Sequence, residues 1–249
     1  MKKNTKAQLI VALDVDTFEE AKKLVDQLSS DVEIFKVGSQ LFTSCGPMAV
    51  RYILAQGRKV FLDLKFHDIP NTVASAVRCA VGLGVTVIDT AAKTHHLKKE
   101  EMCVFMCTVH VVGGEEMLKS SVEEATKQAQ NIGVIKPLIV GITVLTSEAK
   151  TDNIHQTVVN RAVMAKQAGL DGVVASSQEA ALIRKELGED FIIVTPGIRP
   201  SGVSAGDQKR ITTPKEAINN GSDFLVVGRP IVQEADPLKA AKKILAEIQ

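Results

Sequence analysis

In Val60-Phe61-Leu62-Asp63-Leu64-Lys65-Phe66-His67-Asp68-Ile69-Pro70, two carboxylates and an ammonium fall within six residues beside an apolar run. Gly57 and Pro70 bracket the run, so it is expected to form a β-strand. Strand side chains alternate between faces. Phe61, Asp63 and Lys65 therefore share one face, and Val60, Leu62, Leu64 and Phe66 share the other. If the apolar face packs on helices, the charged pair points into the interior of the sheet itself. Buried charge is costly unless paired, so this strand end is a candidate reaction centre, with Asp68 just beyond it.

Strand-like and helix-like runs alternate along the whole chain. Strands are expected at 9–15, 32–38, 59–65, 106–112, 138–144, 172–175, 191–195 and 224–227. Helices are expected at 18–28, 47–55, 71–81, 115–131, 154–168, 178–187, 214–219 and 237–248. Gly57, Gly84, Gly133, Gly169, Gly188 and Gly221 stand where helices should stop. Eight strands and eight helices indicate an α/β fold, a (β/α)8 TIM barrel forming one domain over 1–249. A doubly wound open sheet is the competing architecture. One stretch departs from the pattern. Roughly 17 residues more than a helix-to-strand link needs precede the fourth strand, an insertion at about 86–103. The strand itself is expected at 106–112 rather than 85–88. Links before a barrel strand lie opposite the reaction face, so the insertion should affect stability or assembly more than chemistry.

The parity test extends to the first two strands. Ile10, Ala12, Asp14 and Asp16 share a face, as do Ile34, Lys36 and Gly38. Three neighbouring strands thus direct Asp14, Lys36, Asp63 and Lys65 inward near their carboxyl ends, where barrel enzymes keep catalytic groups. Alternating signs let each charge stabilise the next. A purely structural ion-pair network is the alternative. After strands seven and eight come Thr195-Pro196-Gly197-Ile198-Arg199 and Val226-Val227-Gly228-Arg229-Pro230. Loops at these positions often hold phosphate. Gly228 permits close backbone approach, and Arg229 can grip an anion with two parallel hydrogen bonds.

Composition narrows the function classes. Thirty basic residues face 29 acidic ones, with one Tyr and no Trp, which argues against a nucleic-acid groove or an anionic membrane surface. Apolar runs are too short to span a bilayer. Asp14 and Asp16 interrupt the first apolar run and no small-residue cleavage site follows, so a cytoplasmic protein is expected. The four cysteines read as reduced thiols. Cys103, Cys107 and His110, or His95-His96, lack a second matched pair of metal ligands, so Cys103 and Cys107 read as buried thiols of a core strand rather than ligands. His155 reads as a solvated helix residue, and Met102, Met106 and Met117 as core filling.

The chain resembles the orotidine 5'-phosphate decarboxylase family over nearly its whole length. Asp63-Leu64-Lys65-Phe66-His67-Asp68-Ile69-Pro70-Asn71-Thr72 is similar to that family's most specific signature. Ala12-Leu13-Asp14, Phe35-Lys36-Val37-Gly38, Thr108-Val109-His110, Val144-Leu145-Thr146-Ser147, Thr195-Pro196-Gly197-Ile198-Arg199 and Val227-Gly228-Arg229-Pro230 follow in the family's order. The resemblance implies decarboxylation of orotidine 5'-monophosphate (OMP) to uridine 5'-monophosphate (UMP), with no metal and no organic cofactor. It implies that Lys65 is the proton donor and that Asp63, Lys36 and Asp68 complete its charged network. It further implies a homodimer in which Asp68, Ile69 and Thr72 reach the neighbouring site. Asp14 matches a ribose contact, Thr146 and Gln208 match contacts that close over the substrate, and Arg199, Gly228 and Arg229 match positions near its phosphate.

Two other readings share part of the pattern. A magnesium-dependent sugar-phosphate decarboxylase or synthase of the same superfamily would use Asp14, Asp63, Lys65 and the phosphate loop. The continuation His67 to Thr72 and Gln208 speak against it. A catalytically silent phosphate-binding barrel is the third, and the full set of four inner charges speaks against that.

Overall fold

A computed structural model describes residues 7–84, 98, 102–145, 153–200 and 212–248. Eight parallel strands close into a barrel in chain order, with the first paired to the last. They are β1 (Gln8–Ala12), β2 (Ile34–Gly38), β3 (Lys59–Phe66), β4 (Met106–His110), β5 (Leu138–Ile142), β6 (Gly172–Val174), β7 (Ile192–Thr195) and β8 (Phe224–Val227). The helices are α1 (Phe18–Leu28), α2 (Ser39–Cys45), α3 (Met48–Ala55), α4 (Pro70–Gly82), α5 (Gly114–Ile132), α6 (Ile154–Gln167), α7 (Ser177–Leu187), α8 (Pro214–Asn219), α9 (Arg229–Val232) and α10 (Pro237–Ile248). The closed barrel replaces the open-sheet alternative.

Strand parity divides the core in two. Ile10, Ala12, Ile34, Phe61, Met106, Val140, Val194, Phe224 and Val226 fill the barrel interior. Leu9, Val11, Leu13, Phe35, Val37, Val60 and Leu62 point outward and pack with helix residues such as Leu24, Val25, Val50 and Val77. Each fully buried aliphatic side chain contributes about 1.5–3 kcal/mol of transfer free energy, so a register slip in any strand would expose several at once.

Strand ends differ from expectation in places. β1 stops at Ala12 and β5 at Ile142, although the apolar runs continue. Beyond these points the regular ladder gives way to isolated bonds such as Leu13 N–H to the Lys36 carbonyl and Thr143 N–H to the Val174 carbonyl. β4 stops at His110 because Val111–Gly113 wind into a 3-10 turn that leads into α5. The expected helix at 47–55 starts at Met48, with Pro47 as its N-cap. α2 precedes it unannounced. It is seven residues long, starts from Gly38 without a side-chain cap and buries only Leu41, so it carries no amphipathic pattern. α9, a single turn, was likewise not expected.

The link into β4 explains how the barrel accommodates extra chain. A Cβ on Gly84 would lie 2.1 Å from the Met102 carbonyl oxygen. Residues on either side of the extra segment are therefore in backbone contact, and only glycine fits there. Fourth-strand identity goes to Met106–His110, as preferred from sequence. Residues 85–88 and most of the insertion at 86–103 lie outside the described residues.

Candidate active site

The inner charges meet at the carboxyl ends of β1, β2 and β3. Register aligns Ala12 with Lys36 and Gly38 with Asp63, so the side chains of three strands converge on one mouth. Lys36 Nζ lies 3.0 Å from Asp14 Oδ1 and 3.6 Å from Asp63 Oδ2. Lys65 Nζ lies 2.8 Å from the same Asp63 Oδ2. The order is Asp14, Lys36, Asp63, Lys65, with signs alternating. Lys36 and Asp63 are buried, while the Asp14 and Lys65 side chains remain 45% and 37% exposed. The two central charges are thus fixed within the protein, and the two outer ones can face a ligand. Gly38 makes room for this: a Cβ there would sit 2.8 Å from Lys36 Nζ.

β3 departs from regular geometry where it delivers Lys65. Leu62 pairs with Cys107 and Phe66 with Val109, so three residues of β3 oppose Thr108 alone. Within this bulge Lys65 adopts φ 52°, the only positive φ outside glycine among the described residues. Such backbone costs energy for a residue with a Cβ and concentrates at functional sites. Thr108, fully buried, faces the bulge. Its hydroxyl accepts the Lys65 N–H at 2.8 Å and donates to Asp63 Oδ1 at 3.1 Å.

A cavity of roughly 210 Å³ opens above these charges. Phe61, Ile142, Val174 and Val226 line its apolar side; Pro196, Gly197, Arg199, Gly228 and Arg229 line the side built by the last two strands. Lys36, Lys65, Arg199 and Arg229 provide four positive charges against two from Asp14 and Asp63, leaving a net +2 among the described lining residues. Such a site favours an anionic small molecule. Gly228 allows the β8 end to approach Asp14, whose Oδ2 would lie 3.2 Å from a Cβ there. Arg199 is buried, and its Nη1 donates to the Ile198 carbonyl at 2.9 Å. An isolated bridge between Ile198 and Thr212 pins both ends of the β7–α8 connection. A larger cavity, roughly 510 Å³, lies at the strands' amino ends around Lys59, Phe105 and Leu138. It lacks the alternating carboxylate–ammonium series and occupies the face barrels use for stability.

The expected residues fall into three groups. Asp14, Lys36, Asp63, Lys65, Arg199, Gly228 and Arg229 converge on the one cavity. Asp68, Ile69 and Thr72 do not line it; all three are exposed on the neighbouring rim, with Ile69 at 66%. Asp68 Oδ1 there accepts the Ile69 N–H at 2.6 Å. Thr146 and Gln208 lie outside the described residues.

A profile described as the orotidine 5'-phosphate decarboxylase / HUMPS family matches residues 7–244. The chain belongs to this family. A relative from Syntrophomonas wolfei subsp. wolfei (strain DSM 2245B / Goettingen), named orotidine 5'-phosphate decarboxylase, is 45% identical over 252 residues, covering 97% of this chain and 98% of the relative. One of the same name from Moorella thermoacetica (strain ATCC 39073 / JCM 9320) is 42% identical, covering 99% of this chain and 94% of its own. The crystal structure of orotidine 5'-phosphate decarboxylase from Lactobacillus acidophilus superposes with a TM-score of 0.78 at 34% identity, covering 98% and 99% of the two chains.

Within this decarboxylase-family barrel, Thr108 was missed as a site residue by sequence reasoning. It belongs to a quoted motif, and its parity matches inward-facing Met106, so a hydroxyl on the inner face of that strand was the available signal. The apolar wall of Ile142 and Val174 carried no comparable mark. Cys103, Cys107 and the three methionines are buried, as expected. His155 is exposed as expected, but its Nδ1 lies 3.1 Å from Oε1 of the buried Glu179. Among the described residues, no group of three His, Cys, Asp or Glu side chains could hold a metal ion. No helix among them is long and apolar enough to cross a membrane.

Proposed function

We propose that this chain decarboxylates OMP to UMP and CO2, the last step of UMP synthesis, without a metal, and that Lys65 supplies the proton. The observation carrying this reading is the Asp14–Lys36–Asp63–Lys65 series beside a cavity that also holds Arg199 and Arg229. When the bond from ring carbon six to the carboxylate breaks, the electron pair stays on that carbon. The Lys65 ammonium stabilises the developing carbanion and then transfers a proton to it. The resulting amine regains its proton from solvent.

Asp63 would stand beside the departing carboxylate. Two like charges about 4 Å apart interact by roughly 4 kcal/mol at an effective dielectric near 20, and every ~1.4 kcal/mol taken from the barrier is about tenfold in rate. Stabilisation of the carbanion by a preorganised ammonium is the larger effect. Arg199, Gly228 and Arg229 bind the phosphate, Asp14 a ribose hydroxyl, and Thr146 and Gln208 close over the ring. Binding energy from the phosphate then assists a reaction at a distant atom. Metal independence is supported by the pairing already present: both cavity carboxylates have lysine partners.

The working unit in this reading is a homodimer. Exposed Ile69 and Val112, at 66% and 46%, sit on adjoining loops linked by the His67 and His110 rings 5.5 Å apart. A second copy covering this rim would receive Asp68, Ile69 and Thr72 at its own site.

The test is loss of OMP absorbance with and without a chelator. Equal rates are expected. Loss of OMP only with added Mg2+ would overturn metal independence, no turnover of OMP alongside Mg2+-dependent turnover of a sugar phosphate would favour the sugar-phosphate reading, and binding without CO2 release would favour a silent barrel.

A further inference from the structure

We infer that Thr108 is a positioning residue for the Lys65–Asp63 pair, acting through its hydroxyl rather than its bulk. The inference rests on the proposed role of Lys65. At the β3 bulge, regular ladder bonding between β3 and β4 is interrupted from Leu62 to Phe66. The Lys65 N–H needs an acceptor there, and the Thr108 hydroxyl oxygen provides it at 2.8 Å. The same hydroxyl directs its one proton to Asp63 Oδ1 at 3.1 Å. One group therefore holds both the backbone that aims the ammonium and the carboxylate that receives it.

Chemistry makes this arrangement directional. A hydroxyl has one donor and two acceptor sites, and here the donor goes to the carboxylate while the oxygen takes the amide. Asp63 Oδ1 is thereby occupied, which leaves Oδ2 for both lysine ammoniums at 2.8 and 3.6 Å. Without the hydroxyl, the carboxylate can rotate, and the strained φ of 52° at Lys65 loses the bond that holds it. Thr108 itself does not line the cavity, so its removal leaves the substrate's own contacts in place.

Thr108→Val removes the hydroxyl and keeps the shape; Thr108→Ser keeps the hydroxyl and removes the methyl. Steady-state kinetics on OMP should show kcat of the Val variant reduced at least about tenfold, the scale of losing a buried hydrogen-bond partner. KM should stay within about threefold, and the Ser variant should remain within about threefold of the parent in both constants. A merely structural role would not separate Ser from Val in this way. Far-UV circular dichroism checks folding, and Thr108→Ala replaces the Val variant, with the same expectations, if that chain does not fold. The inference is overturned if the folded hydroxyl-free variant keeps kcat within about threefold, if Ser loses as much as Val, or if the loss lies wholly in KM. Lys65→Ala run in parallel separates the two ideas. If Lys65→Ala retains turnover, the proton-donor reading fails; if it is inactive while Thr108→Val is normal, only the role of Thr108 fails.

Discussion

The Lys65 ammonium folds back to 2.8 Å from Asp63 Oδ2, a carboxylate only two residues earlier on the same strand. In regular β structure both side chains would simply stand side by side on one face, their Cα atoms about 6.6 Å apart. Here left-handed backbone at Lys65 breaks the pleat at the point where the pair forms. Lys36 then reaches Asp63 from the neighbouring strand and completes a chain of charges that balances itself.

Room for Lys36 depends on one missing methyl group. Gly38→Ala would place a Cβ 2.8 Å from Lys36 Nζ, so the ammonium must shift away from Asp14 or Asp63. The backbone at Gly38 is extended and accepts alanine, so the fold should survive. We expect a drop in kcat of about tenfold or more, from misplacing a charge near the reaction centre, with an unchanged circular dichroism spectrum. Wild-type kinetics in this variant would show that Lys36 needs no fixed position.

Arg229→Ala should act mainly on substrate binding. A charge-assisted hydrogen bond contributes about 1.5–3 kcal/mol, so kcat/KM should fall by about 10–100-fold, largely through KM. An unchanged dependence of rate on substrate concentration would rule out phosphate contact at this residue.

Thiol chemistry tests the packing of β4. Burial pushes the Cys103 thiol up to about 11 and the Cys107 thiol up to about 12, while Cys79 is exposed. At neutral pH, iodoacetamide should modify Cys79 first and spare Cys103 and Cys107 until denaturant is added. The sign of the alkaline effect follows from linkage. The Cys107 value is raised on folding from an ordinary value of 9.0, so its contribution is present below that pH and is lost as pH rises towards about 12. The stability gap between wild type and Cys107→Ala should therefore narrow across that window in urea titrations. A constant gap would place the thiol in a less buried setting.

Deleting residues 89–101 should leave the chemistry intact. Gly84 and Met102 already touch, so a four-residue link can close the chain at the amino face of the barrel. The shortened protein should keep kcat and KM within about threefold. A folded but inactive product would show that the extra segment serves the site.

Much of this was legible from residue order. Period-two alternation separated Phe61, Asp63 and Lys65 from Val60 and Leu62, and the barrel core divides along that line. The glycine-arginine pair after β8 announced its place in the cavity. Features that depend on long-range pairing were not legible. The bulge opposite Thr108 arises from register between strands more than 40 residues apart, and nothing in Leu64-Lys65-Phe66 signals a positive φ at a lysine. Helix α2 was invisible because one buried leucine makes no periodic face. Asp68, Ile69 and Thr72 were read as residues for another subunit, and within a single chain they face outward.

The most direct measurement is CO2 release from OMP by Lys65→Ala, purified in folded form. Loss of the ammonium that receives the carbanion should reduce turnover by at least about a thousandfold, with the circular dichroism spectrum and thermal midpoint close to wild type. Turnover within about tenfold of wild type would contradict the assignment of Lys65 as the proton source.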